Sequence, residues 1–172
     1  LVYTAPQEAA VRQATFWMLG GLSGAEGSDV LFPLIVLVFS AVLLYLLAMP
    51  LNAMMMGDSS AVTLGVNINL VRKILIADSA LLTASAVSVS GCIGFVGLVV
   101  PHVTRLISRI NDNRIVMPMS ALLGAVFILW ADAFARCAFG AVELPIGIVT
   151  AFIGAPFFMF LMIRSGYGGG KT

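Results

Sequence analysis

Apolar residues run along this chain in long blocks, separated by short polar pieces. Residues 31–49 (LFPLIVLVFSAVLLYLLAM) carry no charge. A helix needs about 20 apolar residues to cross a bilayer, at about 1.5 Å each, and this block supplies them. Pro33 falls in its first turn, where the missing N–H costs little. A second, softer span is expected over 71–91, with Asp78 and many Ser and Thr. Residues 95–110 form a short third span containing Pro101, followed by the loop NDNR. Residues 115–138 form a fourth, the turn VELPIG follows, and residues 146–164 form a fifth. The pattern predicts an all-α, polytopic integral membrane bundle of five spans, with no strand period and no domain boundary.

Composition agrees. The 172 residues are 60% hydrophobic and only 10% charged, against about 25% charged in soluble domains. That leaves too little polar surface for a soluble bundle and makes lipid a partner. The net charge of +1 without a clustered basic face argues against nucleic acid. Lys and Arg bias in short loops sets orientation. Alternating spans place Arg72, Lys73, Arg105, Arg109, Arg114, Arg164 and Lys171 on one side, and Arg12 and Arg136 on the other. The first side is expected to be cytoplasmic, the C-terminus with it. Gly91, Gly94, Gly97, Gly124, Gly147 and Gly154 mark places where helices could approach closely. Cys92 and Cys137 lie in apolar runs and read as buried, unpaired thiols. No metal-ligand spacing, cofactor motif or nucleophile–base pair is visible, so no catalytic residue is assigned. The tail SGYGGGKT has Ser165 where a phosphate loop needs its first glycine.

The interruption between the first two spans holds three consecutive methionines, Met54, Met55 and Met56, then GDSSAVTLGV. Asp58 can cap a short helix over 59–64, and Gly65 suits the left-handed position that ends it. Such a helix presents methionines, which adapt to a partner that shifts. From the residues alone, a partner-docking helix and a lipid-touching loop stand equally. Asp132 and Arg136, four apart, can pair on one helix face. Asp78 reads as snorkelling to the membrane edge, with a proton relay as the sharper alternative. Ser79, Thr83, Ser85, Ser88 and Ser90 either pack between helices or line a wet pathway, Ser85 and Ser88 being the candidates for lining.

GFVGLVVPHVTRL (94–106), NDNRIVMPMSALLGA (111–125), ADAFAR (131–136) and ELPIGIVTAFIGAPFF (143–158) together resemble the membrane permeases of iron-siderophore, haem and vitamin B12 ABC importers. The resemblance runs in order from about residue 12 to Arg164. It implies the C-terminal half of a ten-helix permease, preceded by a short periplasmic helix near 9–19, in a bacterial cytoplasmic (inner) membrane. It implies a dimer with a second permease copy or homologous half, two cytoplasmic ABC ATPase subunits, and a periplasmic or lipoprotein substrate-binding protein. It implies a transport subunit, with no enzymatic chemistry and no cofactor of its own. Residues 56–66 match the cytoplasmic coupling segment that docks on the ATPase, so Met55, Met56, Gly57, Asp58, Ser59, Ser60, Ala61, Leu64 and Gly65 are the docking candidates. Arg136 matches a periplasmic arginine that pairs with a glutamate of the binding protein, giving it two partners: Asp132 at rest and the binding protein when docked. The DNR of residues 112–114 departs from the Asp-His-Arg frequent in that family, and no role is attached to it. An ion-coupled secondary transporter is the runner-up, which requires inverted repeats and midplane charges. A non-transporting permease fragment is a third reading.

Residues 1–172 expressed alone are expected to be heat-labile and polydisperse in detergent, because helix faces meant for another half would be bare. Thermal melting with size-exclusion chromatography checks this; a monodisperse, heat-stable sample would refute it.

Overall fold

The computed structural model describes residues 14, 17–22, 27–137 and 144–168, the last five as backbone. The described elements are helical: α1 (Leu31–Met55), α2 (Asp58–Thr63), α3 (Ile68–Ser90), α4 (Val96–Ser108), α5 (Asn113–Cys137) and α6 (Ile146–Gly168). Of the expected helix at 9–19, residues 14 and 17–19 are helical, and the remainder lies outside the described residues.

The boundaries differ from the sequence expectation in informative ways. The first span does not stop at Met49; α1 continues through Pro50 to Met55. Pro50 forfeits one backbone hydrogen bond, but side chains of the last two turns are tied to the α4–α5 turn, and these bonds hold the helix on. The second span starts at Ile68 because Asn67 caps it, its side-chain oxygen accepting from the Leu70 N–H at 3.2 Å. The third is shorter than expected. α4 has 13 residues, about 20 Å of helix against a hydrocarbon core of about 30 Å. The run Gly91–Cys92–Ile93–Gly94 is not helical, and the chain enters α4 only after Phe95. Among the described helices, α1, α5 and residues 146–163 of α6 are long and apolar enough to cross a membrane. α3 matches them in length but dilutes its apolar face with Arg72, Lys73, Asp78 and a series of hydroxyls.

α1 and α3 form a hairpin around α2, and α5 packs on α4, α1 and α6. At the end of the bundle opposite α2, three stretches meet through their backbones. The Gly21 N–H donates to the Ser90 carbonyl at 2.9 Å, the Cys92 N–H to the Trp17 carbonyl at 3.2 Å, and the Ile146 N–H to the Gly20 carbonyl at 3.0 Å. A Cβ on Gly91 would collide with the Trp17 carbonyl oxygen, and one on Gly147 with the Leu19 carbonyl oxygen. A Cβ on Gly154 would strike the Phe95 side chain. Close packing therefore uses only some of the glycines the sequence offers. Gly124 has ordinary contact with Val100, and nothing lies near Gly94 or Gly97. The cysteines also differ from expectation: both are free and exposed, Cys92 in the non-helical break and Cys137 at the end of α5. Only 17% of each candidate spanning window is buried within the chain. Most of the large apolar surface, Phe152 and Trp130 included, faces outward for lipid or protein.

In the full-length subunit, Gly147→Ala is expected to destabilise by about 1–3 kcal/mol, because it forces a methyl against a backbone carbonyl. Gly97→Ala is expected to leave stability unchanged or raise it by up to about 1 kcal/mol. Thermal unfolding in detergent compares them; equal losses would show that the backbone junction is not the tight point.

Candidate functional site

α2 is bounded by two glycines in conformations that L side chains rarely adopt. Gly57 has φ 111° and precedes the helix; Gly65 has φ 80° and follows it. The Gly65 N–H donates to the Val62 carbonyl and the Val66 N–H to the Ala61 carbonyl, which closes the C-terminus. Asp58 does not cap the helix as the sequence suggests. Gly57 already breaks the chain, so Asp58 becomes the first helical residue and makes no side-chain cap bond. Its negative charge still favours the first turn. Its carboxylate lies 3.7 Å from the Arg72 guanidinium, with both side chains more than half exposed. Pairs this open to solvent contribute little.

Ala61 is completely buried and anchors α2, and Ser60 is half-buried. Met55, Met56, Gly57, Asp58, Ser59, Leu64 and Gly65 are exposed, as is Val62. The structure thus brings the docking candidates onto one protrusion between α1 and α3, with an apolar surface at its edges. Ser85 lies apart from them. It is 4% exposed, and its hydroxyl donates to the Leu82 carbonyl. Ser88 is exposed and donates to the Ser85 carbonyl. Arg136 Nε donates to Asp132 Oδ2 at 2.9 Å, at the end of α5 far along the chain's fold from α2. Asp78 does not snorkel. It is 4% exposed, and among the described residues neither carboxylate oxygen has a hydrogen-bond partner. No group of three His, Cys, Asp or Glu side chains among the described residues could hold a metal ion.

A polar junction lies beside this protrusion, where the sequence assigned no role. Asp112 caps α5: its Oδ1 accepts from the Arg114 N–H at 2.9 Å. The same oxygen accepts from Asn52 Nδ2 at 2.6 Å, and Asn52 Oδ1 accepts from the Asn113 N–H at 2.9 Å. Asn113 Nδ2 contacts Met55 Sδ at 3.3 Å, and Asn113 Oδ1 accepts from the Arg105 guanidinium at 3.2 Å. The bond from the Arg114 N–H, with that from Asn52, holds the Asp112 carboxyl below its ordinary value of 3.8. An Asp directly before the helix of residues 113–137 was a legible capping signal; its bond to a residue 60 positions earlier was not.

With this geometry in view, the relatives can be placed. Residues 1–164 match the model of the FecCD transport family. The chain belongs to that family. It is 43% identical over 152 residues to the cobalamin import system permease protein BtuC of Halobacterium salinarum, covering 88% of this chain and 40% of that protein. It is 40% identical over 155 residues to the vitamin B12 import system permease protein BtuC of Klebsiella pneumoniae, covering 90% of this chain and 47% of that one. It is 43% identical over 153 residues to the uncharacterized ABC transporter permease protein YvrB of Bacillus subtilis, covering 89% and 43%. A solved structure described as an inward-facing conformation of a metal-chelate type ABC transporter superposes with a TM-score of 0.81 at 32% identity. That likeness covers 89% of this chain and 49% of the other. The FecCD chain described here therefore spans about half the length of the curated relatives it matches.

A carboxyl whose pKa is lower in the folded state adds stability above its unfolded value and loses it as the pH falls through the folded one. Asp112 is therefore expected to stabilise fully at neutral pH, with the loss beginning below its ordinary value of 3.8. Melting temperatures from about pH 7 down to about pH 3 should fall more steeply in the parent than in Asp112→Asn. Parallel curves would show that this carboxylate carries none of the acid sensitivity.

Proposed function

We propose that this chain forms part of the permease subunit of an ABC importer that moves iron-siderophore, haem or cobalamin-type chelates across the bacterial cytoplasmic membrane. The observation that supports it best is α2: a short, glycine-bounded helix held by the buried Ala61, with exposed Met55, Met56, Val62 and Leu64 around it. Thioethers and aliphatic side chains at such a site suit an apolar groove on a partner that moves. In this reading α2 is the coupling helix and two cytoplasmic ATPases are its partners. The permease works as a dimer with a second copy or a homologous half. A periplasmic or lipoprotein binding protein delivers the chelate and draws Arg136 away from Asp132. The C-terminus is cytoplasmic, in line with the Lys and Arg bias of the loops. ATP hydrolysis belongs to the partner, and the permease does no covalent chemistry. Its task is to alternate between two access states biased from both faces. The names and family of the relatives support the importer class; the choice among chelates rests on the pathway and the binding protein.

Ser59 is an exposed position of α2 that suits the test. In the full-length permease, with Cys92 and Cys137 replaced, Ser59→Cys is expected to form a disulfide with a cysteine in the ATPase's helical groove. ATP is expected to change its yield. No disulfide, with both proteins folded and present in the membrane, would remove α2 as the docking helix.

A further inference from the structure

α2 is joined to the rest of the bundle unevenly. Towards α3 it has the exposed Asp58–Arg72 contact at 3.7 Å, which is easily exchanged for water. Towards α1 only Met56 and Gly57 intervene in the chain, and the two helices pack on each other. A shift of α2 is therefore carried first into the last turns of α1, while the glycines at 57 and 65 absorb its change of tilt.

From those last turns the bonds lead to α4 and α5. Asn52 uses both ends of its amide, donating to Asp112 Oδ1 at 2.6 Å and accepting from the Asn113 N–H at 2.9 Å. Asp112 is also the cap of α5, through the Arg114 N–H. Asn113 is 6% exposed and reaches Met55 on α1 and Arg105 in the last turn of α4. The ends of three helices are thus joined through two adjacent residues. Hydrogen bonds of this length weaken steeply when a partner moves by half an ångström or so. The end of α1 must then carry the α4–α5 turn with it or break these part-buried polar contacts, at the cost of leaving amide groups poorly paired.

We propose that Asn52 and Asp112 form a clasp that transmits displacement of α2 to α4 and α5, and that they are positioning residues for the transport cycle. The proposal rests on α2 being the docking helix. It concerns a different link, the one between α2 and the α4–α5 turn.

The arrangement suggests its own control. Asp112→Asn keeps every bond, because an amide oxygen at the place of Oδ1 still accepts from Asn52 Nδ2 and from the Arg114 N–H. Asn52 still accepts from the Asn113 N–H. Substitutions at position 52 break the pairing: Asn52→Asp sets two carboxylates against each other, and Asn52→Ala removes both bonds.

The test uses the full transporter with its ATPase in membranes, Cys92 and Cys137 replaced. Ile107, exposed in the last turn of α4, reports through the labelling rate of Ile107→Cys by an impermeant maleimide, with and without ATP and vanadate. In the parent the nucleotide is expected to change this rate roughly fivefold or more, the scale of an ordinary coupling free energy. In Asn52→Ala and Asn52→Asp the ratio is expected to fall to within about twofold of unity, with the Ser59→Cys disulfide to the ATPase still responding to ATP. Asp112→Asn is expected to keep the parental ratio. If Asn52→Ala fails to assemble, Asn52→Asp against Asp112→Asn decides alone. An undiminished ratio in the Asn52 variants, an Asp112→Asn variant as impaired as they are, or no nucleotide effect in the parent would each overturn the clasp. Loss of the Ser59→Cys disulfide in the parent would instead overturn the docking reading beneath it.

Discussion

The structure depends on pairing backbone polar groups where helices stop inside an apolar bundle. Lipid offers no hydrogen bonds, so irregular backbone survives there only when protein satisfies it. The break between α3 and α4 is such a place. Its groups are met by the carbonyl of Trp17 and the N–H of Gly21, and the start of α6 is met by the carbonyl of Gly20. Three segments far apart in the chain can approach this closely only where side chains are absent, which is what Gly91 and Gly147 provide. Once that junction forms, the starting points of α4 and α6 are set, and Phe95 takes a left-handed turn, φ 67°, against Gly154.

The opposite end is built on a different principle. There, side chains rather than bare backbone tie the elements together, through Asn52, Asp112, Asn113 and Arg105. Directed bonds of this kind hold one geometry and yield when it is changed, whereas the glycine junction tolerates almost no change. One end of the bundle is thus a rigid knot. The other combines a bonded turn with a glycine-bounded helix that has little holding it to α3. That asymmetry suits the proposed role of α2 as the element a partner moves.

Much of this was legible in the sequence. Long, predominantly apolar runs announced α1, α5 and α6, because crossing a bilayer takes about 20 such residues. Gly65 announced the end of α2, and the spacing of Asp132 and Arg136 announced their pair. Other features were misread for identifiable reasons. The first span was expected over 31–49, and α1 runs on to Met55, because the tertiary bonds of Asn52 and Met55 are invisible in a local pattern. Asp58 looked like a cap because Asp commonly is one, while the unusual φ of Gly57 had already made the break. Asp78 looked like a snorkelling residue, since nothing in a one-dimensional pattern reveals that its helix turns it inward.

By itself, the sequence determined the all-helical membrane character, the order of the helices and the family, because each follows from hydropathy, spacing or motifs contained in contiguous residues. The tertiary structure alone decided which glycines are contact points, where α4 begins, and that Asn52 grips the turn at Asp112. Those outcomes depend on distances between residues tens of positions apart, and no local preference carries that information.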